Sequence, residues 1–410
     1  MSHLDELGTR AAGAVMATYP QPAAAFVRGQ GTVLFDGEGR AHLDFLCGLA
    51  VTSLGHAHPA VTEAVAAQAA TLVHTSNLFV TEPAVELAER LGRITGWGDA
   101  KVFFSQCGAT ANEAAIKLAR KHGKRQHPDK VRVVALLGSF HGRTLTTLEA
   151  TGQPAKHAPF APLAGFVDHV PHDDPDALRA AVTDETCAVL LEVVQGEGGV
   201  RPVDHAVLVA ARQACDAVGA LLLVDEVQTG IGRTGPWFAF QDAPVEPDVV
   251  TVAKALANGL PIGACIARGV AADVLEPGDH ASTFGGNPVV CAAANAVLRT
   301  IEDEHLLTTA RTRASRLRDG LTALADRVPG VAGVRGRGLL LGLLLEAPVA
   351  AEVVAGCREA GLLVNAVAPD VVRLAPPLTV TRAEVDAALR TLEDVLVGLE
   401  AGVPASEVPT

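Results

Sequence analysis

An apolar run, Leu221–Val224, ends in Asp225, and a second, Val249–Ala253, ends in Lys254. An acid and a lysine, each just beyond a short aliphatic and β-branched stretch, read as the carboxyl ends of two parallel strands delivering both side chains to one crevice. The pair suits pyridoxal phosphate chemistry. An amine can hold that cofactor covalently, and a carboxylate can keep its ring nitrogen protonated, so that the ring accepts the electrons released when a substrate Cα–H bond breaks. Alone the pair decides nothing, because many strand-end acids only cap the helix that follows.

Two further segments could do chemistry. Residues 105–120, SQCGATANEAAIKLAR, run from a strand end through Gly108 into an alanine-rich helix. A glycine turn and a fresh helix N-terminus present free N–H groups and the positive end of the helix dipole, with Gly108 and Ala109 as the phosphate donors. The plainer reading is a tight turn at Gly108 capped by Thr110. Neither GxGxxG nor GK[ST] occurs there, which argues against a dinucleotide or triphosphate site. SFHGRT at 139–144 also follows a strand. Phe140 can stack on a planar ring and Arg143 can clamp a carboxylate bidentately, or they are a core aromatic and a surface charge.

These residues need a frame. The periodicity predicts helices over 84–94, 111–122 and 206–218, alternating with strands at KVFF, VRVVALL, CAVLLEVV and the two runs above. That alternation argues for an α/β large domain over 61–304, with a mostly parallel sheet covered on both faces. Residues 1–60 read as an arm with short β pieces, with Pro59 opening a helix through Ala70. A long helix over 288–304 leads to a smaller α+β domain over 305–400, shared with the arm. It holds the strands LLLGLLL, GLLVNAV and DVVRLA, with GVRGRG as a turn before the first, and closes on a helix over 382–399. Residues 401–410 read as a loose tail.

Composition narrows the function classes. The chain has 410 residues, 49% hydrophobic and 19% charged, enough to bury a large core. A net charge of -13 and a pI near 5.5 argue against nucleic acid or an anionic membrane as partner, since 121–125 is the longest basic patch. Seven cysteines stand singly without a CxxC pair, read as reduced core residues rather than zinc ligands or disulfides; no metal is expected. With neither signal peptide nor membrane span in view, the expectation is a cytoplasmic metabolic protein.

Taken in order, GATANEAAIKLAR, SFHGRT, EVVQGEGG, LLLVDEVQTGIGRTG, TVAKALANGLPIGA, STFGGNP and RLAPPL resemble the class III, fold-type I, pyridoxal phosphate-dependent aminotransferases, over residues 20–398. HTSNLF at 74–79 and the spacing resemble the acetylornithine branch. The resemblance implies a seven-stranded-type sheet, Lys254 as covalent anchor and proton carrier, and Asp225 on the ring nitrogen. Gln228 would meet the ring's phenolic oxygen, with Val227 and Phe140 on the two ring faces; Glu226 is counted with them. Gly108 and Ala109 would hold the phosphate from one subunit and Thr283 from the other, which implies a homodimer with shared sites. Arg143 would bind the α-carboxylate of N-acetylornithine and the distal carboxylate of 2-oxoglutarate, beside Ser282. Glu197 would gate Arg373, releasing it for the keto acid. The implied reaction moves the δ-amine of N-acetylornithine to 2-oxoglutarate by a ping-pong route. Ornithine, 4-aminobutyrate and succinyl-diaminopimelate donors stay open, as does, from another class, a non-catalytic binding module. One departure stands out: Thr110 occupies a helix-start position where the family usually carries glutamate.

Overall fold

The computed structural model describes residues 2–402. Its largest sheet has seven strands: β1 Lys101–Ser105, β2 Arg132–Leu136, β3 Val167–Val170, β4 Thr186–Leu191, β5 Leu221–Asp225, β6 Val249–Val252 and β7 Gly263–Ala267. They lie in the order β1-β7-β6-β5-β4-β2-β3. All run one way except β7, which is antiparallel to both β1 and β6.

β4, β5 and β6 are buried at every position, as continuous apolar runs in a sheet covered on both faces should be. Alternate residues point to opposite sides. Val189, Leu191, Leu222 and Val224 pack with Val207, Leu208 and Ala211 of the helix His205–Val218. Ala188, Leu190, Leu221 and Leu223 pack with Ala114, Ala115 and Ile116 of the helix Gly108–Gln126.

Several expectations change; GLLVNAV, for one, divides into Leu362–Leu363 and Asn365–Ala368, which pair in different sheets. CAVLLEVV does not continue as one strand: β4 stops at Leu191, and a two-residue strand resumes at Val194–Gln195. The break falls at Glu192, whose side chain takes hydrogen bonds from a neighbouring loop. GVRGRG is a strand rather than a turn; Val331–Arg337 pairs antiparallel with Leu340–Leu345, bulging near Gly333. Its glycines hide the alternation on which a strand reading depends. β3 and β7 were not foreseen, because one is four residues with Asp168 and His169 inside it and the other is mostly small residues.

Residues from both ends of the chain meet elsewhere. Phe26–Gln30, Val33–Asp36 and Ala41–Asp44 form a second sheet with Leu362–Leu363. A third joins Val331–Arg337, Leu340–Leu345, Val371–Leu374 and Asn365–Ala368, and it carries Arg373 on a fully buried strand. The closing helix, Arg382–Gly402, runs into the tail expected over 401–410, the rest of which lies outside the described residues. Among the described residues no helix is long and apolar enough to cross a membrane. Six cysteines are buried, but Cys107 is exposed, against the expectation of core positions.

Candidate active site

The carboxyl ends of the parallel strands open into a cavity of about 390 Å³, and both Asp225 and Lys254 line it. Lys254 follows β6 by two residues and has φ 41°, a left-handed conformation that costs a non-glycine residue about 1–3 kcal/mol. Its surroundings hold it there. Ser53 Oγ donates to Ala255 O at 3.2 Å, Leu54 N donates to Asn258 Oδ1 at 2.8 Å, and Asn258 Nδ2 donates to Gly55 O at 2.9 Å, pinning both sides of the turn. Burial holds the amine below the usual lysine value; Glu197, Asp225 and Glu192 oppose that shift, and Arg373 adds to it. An amine depressed in this way is suited to forming a covalent bond with a carbonyl and to carrying a proton.

Asp225 is 3% exposed, and three donors converge on its carboxylate. Asn112 Nδ2 lies 2.7 Å and His141 Nδ1 2.8 Å from Oδ2, while Val227 N donates to Oδ1 at 2.9 Å. Asn112 is held in turn by Thr251 Oγ1 at 2.6 Å, the residue paired with Asp225 in β6. The carboxylate is thereby aimed at the cavity before any ligand arrives.

Gly108 and Ala109 open the helix Gly108–Gln126 and line the same cavity, so their N–H groups lack intrahelical acceptors where an anion would sit. Glycine is required at 108: a Cβ there would come within 2.7 Å of Val227 Cγ1. Thr110 does the capping. Its hydroxyl accepts from Cys107 N at 3.1 Å and Gln106 N at 3.3 Å and donates to Cys107 O at 3.0 Å, so the turn is braced without a glutamate. Phe140 and Val227 also line the cavity.

Both expected arginines stand at or just behind the cavity lining. Arg143 is exposed at the mouth, its guanidinium carbon 5.6 Å from the Phe140 ring centre. Arg373 is 1% exposed and lies behind Glu197, its Nη1 donating to Glu197 Oε1 at 2.6 Å, Gln228 Oε1 at 3.0 Å and Gly196 O at 3.1 Å. Burial pushes the Glu197 carboxyl up, but Arg373, with Lys254 and Gln228, more than reverses this, leaving it below the usual value. Glu197 and Gln228 line the cavity, with Glu197 standing between it and Arg373.

Three expected residues sit elsewhere. Glu226 does not line the cavity; its carboxylate turns into the core, accepting from Phe240 N at 2.8 Å and from Thr229 Oγ1, which corrects its place in the cofactor set. Ser282 and Thr283 line a separate surface cavity with Phe103 and Glu113, although Ser282 Oγ accepts from Gln106 Nε2 at 2.7 Å. Asn112, His141 and Glu192 were missed. Their signal was a polar residue inside an otherwise apolar helix face or at a strand end, a pattern shared with many caps. The residues present fit pyridoxal phosphate: an amine, a fixed carboxylate, N–H groups at a helix start and the apolar side chains of Val227 and Phe140 on the cavity wall.

The sequence matches the aminotransferase class-III family over residues 15–396. It is 53% identical over 393 residues to the acetylornithine aminotransferase of Streptomyces coelicolor, covering 96% of each chain. The enzyme of that name from Mycobacterium tuberculosis is 52% identical over 388 residues, 94% of this chain and 95% of its own. Among solved structures, the ornithine aminotransferase of Toxoplasma gondii superposes with a TM-score of 0.93 at 31% identity, covering 98% of this chain and 96% of that one. The N-acetylornithine aminotransferase of Stenotrophomonas maltophilia gives 0.82 at 35% identity, covering 94% and 98%. With Lys254, Asp225 and the helix N-terminus converging on one cavity, this chain belongs to the class III aminotransferases, pyridoxal phosphate-dependent enzymes.

Proposed function

We propose that the protein transfers the δ-amino group of N2-acetyl-L-ornithine to 2-oxoglutarate, giving N-acetyl-L-glutamate 5-semialdehyde and L-glutamate, as a cytoplasmic homodimer of arginine biosynthesis. The observation that carries this reading is the Glu197–Arg373 pair, closed at 2.6 Å beside an open Arg143. Bound pyridoxal phosphate supplies an electron-accepting ring that stabilises the charge left when a C–H bond of the substrate breaks.

Lys254 Nζ takes the proton from Cδ of the donor, and its depressed basicity keeps the amine available for that transfer. Asp225, held by Asn112, His141 and Val227 N, keeps the ring nitrogen protonated. Gln228 orients on the phenolic oxygen, and Gly108 and Ala109 hold the phosphate through their N–H groups. With the donor in place Arg143 takes its distant α-carboxylate, and Glu197 keeps Arg373 neutralised where the substrate has only a methylene chain. With 2-oxoglutarate in place Arg143 holds the distal carboxylate, and Glu197 swings aside so that Arg373 clamps the α-carboxylate bidentately. One pocket thus serves two unlike substrates.

Similarity supports the acetylated donor: the relatives at 50% identity and above over nearly the whole chain carry that name, whereas the ornithine enzyme of similar shape is 31% identical. A donor panel with 2-oxoglutarate as acceptor tests it; free ornithine outperforming the acetylated compound in kcat/KM would overturn it.

Exposed apolar residues support the dimer. Leu78, Phe79, Val80 and Phe284 are 87, 69, 85 and 61% exposed, and Phe79 and Val80 share a cavity with Thr283. A second copy covering this strip would place Thr283 near its partner's phosphate. Sedimentation would report a dimer, and Thr283→Ala would lower cofactor retention.

A further inference from the structure

Glu192 is the first residue after β4 and interrupts what would otherwise be a longer strand. It is 5% exposed and lines the cavity without a role among the residues above. One oxygen accepts from Phe140 N at 3.0 Å and the other from Gly196 N at 3.4 Å. Phe140 forms part of the cavity wall. Gly196 precedes the gate residue Glu197, and its own carbonyl accepts from Arg373 at 3.1 Å. A single carboxylate therefore joins the wall to the turn that carries the gate. That turn is tightly fitted: a Cβ on Gly196 would lie 2.0 Å from Gln228 Oε1.

We propose that Glu192 is a positioning residue that clamps the Gly196–Glu197 turn to the Phe140 wall, so that its proton decides how readily the gate opens to a dicarboxylate. As a carboxylate it accepts both N–H groups. As a carboxylic acid one oxygen becomes a donor, and the longer contact, to Gly196, is the one lost. Glu197 then leaves Arg373 more easily. The groups facing Glu192 are His141 beyond β2, Asp225 at the end of β5, Lys254 after β6, and Glu197 on its own loop with Arg373 behind. Burial and Asp225 push Glu192 up, His141 and the two N–H groups pull it down, and the balance is about 7, where the proton exchanges at neutral pH. The proposal rests on the gate reading of Glu197.

Glutarate, a dicarboxylate with no amine or carbonyl to react, is the probe, titrated calorimetrically into cofactor-loaded enzyme. In the wild type its Kd should rise several-fold between about pH 6.5 and about pH 8.5 as Glu192 ionises. Glu192→Gln has only one carbonyl oxygen and no proton to lose, so its Kd should be flat across that window and close to the wild-type acid value. Glu192→Asp, which keeps a titrating carboxyl, should restore a slope with a moved midpoint. A flat wild-type profile, or a wild-type slope in Glu192→Gln, overturns the proposal; the wild-type and Glu192→Asp profiles decide it even if Glu192→Gln does not fold. If Glu197→Ala leaves both glutarate affinity and donor preference unchanged, the gate reading itself fails; if Glu197→Ala changes them while Glu192→Gln keeps the slope, only Glu192 loses its role.

Discussion

On the proposed mechanism Lys254 carries two duties on one nitrogen, anchor and proton carrier, so its removal should be the costliest single change. Lys254→Ala is expected to lose at least about 10³-fold in turnover, within the range of about 10²–10⁴-fold that acid–base assistance supplies, and to lose the absorbance of covalently held cofactor. Turnover within tenfold of wild type would show that another group moves the proton. Arg143 tests recognition instead of chemistry. Lysine cannot reproduce the guanidinium fork, so Arg143→Lys should lower kcat/KM for N-acetylornithine and 2-oxoglutarate alike while cofactor content stays normal. A defect confined to cofactor occupancy would return Arg143 to the surface charge it resembles locally. Glu197→Ala leaves Arg373 uncovered; in single-turnover measurements the half-reaction with glutamate should quicken relative to that with N-acetylornithine, and an unchanged ratio would remove Glu197 from the mechanism.

Elements matter here through the turns at their ends. β5 and β6 lie side by side, which is why Asp225 and Thr251 are register partners and why one asparagine, Asn112, can tie both to the helix that opens at Gly108 and Ala109. The Gly196–Glu197 turn depends on a missing side chain. Gly196→Ala would drive Gln228 from its contacts with Arg373 and Glu197, an overpacking that costs about 1–3 kcal/mol. Its melting temperature should fall, and its preference between glutamate and N-acetylornithine should shift, because the gate loses its lateral support. A variant with the wild-type melting point and preference would show that the loop yields freely and that Gln228 does not brace the gate.

Across the whole molecule, buried carboxyls couple stability to pH. Glu226 is 1% exposed, and burial pushes it up to about 7 from an ordinary 4.5. The folded state therefore holds a proton that the unfolded chain releases, so this residue makes the protein less stable as pH rises from 4.5 through about 7. The loss has an upper bound on the order of 3 kcal/mol. Glu226→Gln keeps the acceptor for Phe240 N and cannot ionise. Denaturant unfolding should show the variant gaining on the wild type as pH is raised through neutrality, with little difference at acid pH; a gap that stays constant with pH would mean that Glu226 does not titrate in this range.

What the sequence alone determined were the residues whose position depends on short-range pattern. An apolar run followed by Asp225 or Lys254 is a strand with its end marked, and Gly108 before an alanine-rich stretch is a helix start; both are local consequences of side-chain type. The ordered motifs then attached roles to those positions. Tertiary structure alone decided what meets across the chain. Glu197 and Arg373, which only the resemblance had paired, are 176 residues apart and touch because their turn and strand pack against each other. Asn112 and His141 reach Asp225 from 113 and 84 residues away. No local pattern separates them from ordinary polar residues at a helix face or strand end. Glu226, beside Asp225 in sequence, faces the other way because successive residues leaving a strand diverge, and the core supplies its partners. GVRGRG reads as a turn until Leu340–Leu345 lies alongside it, since glycines carry no side-chain alternation and only the partner strand can declare the pairing.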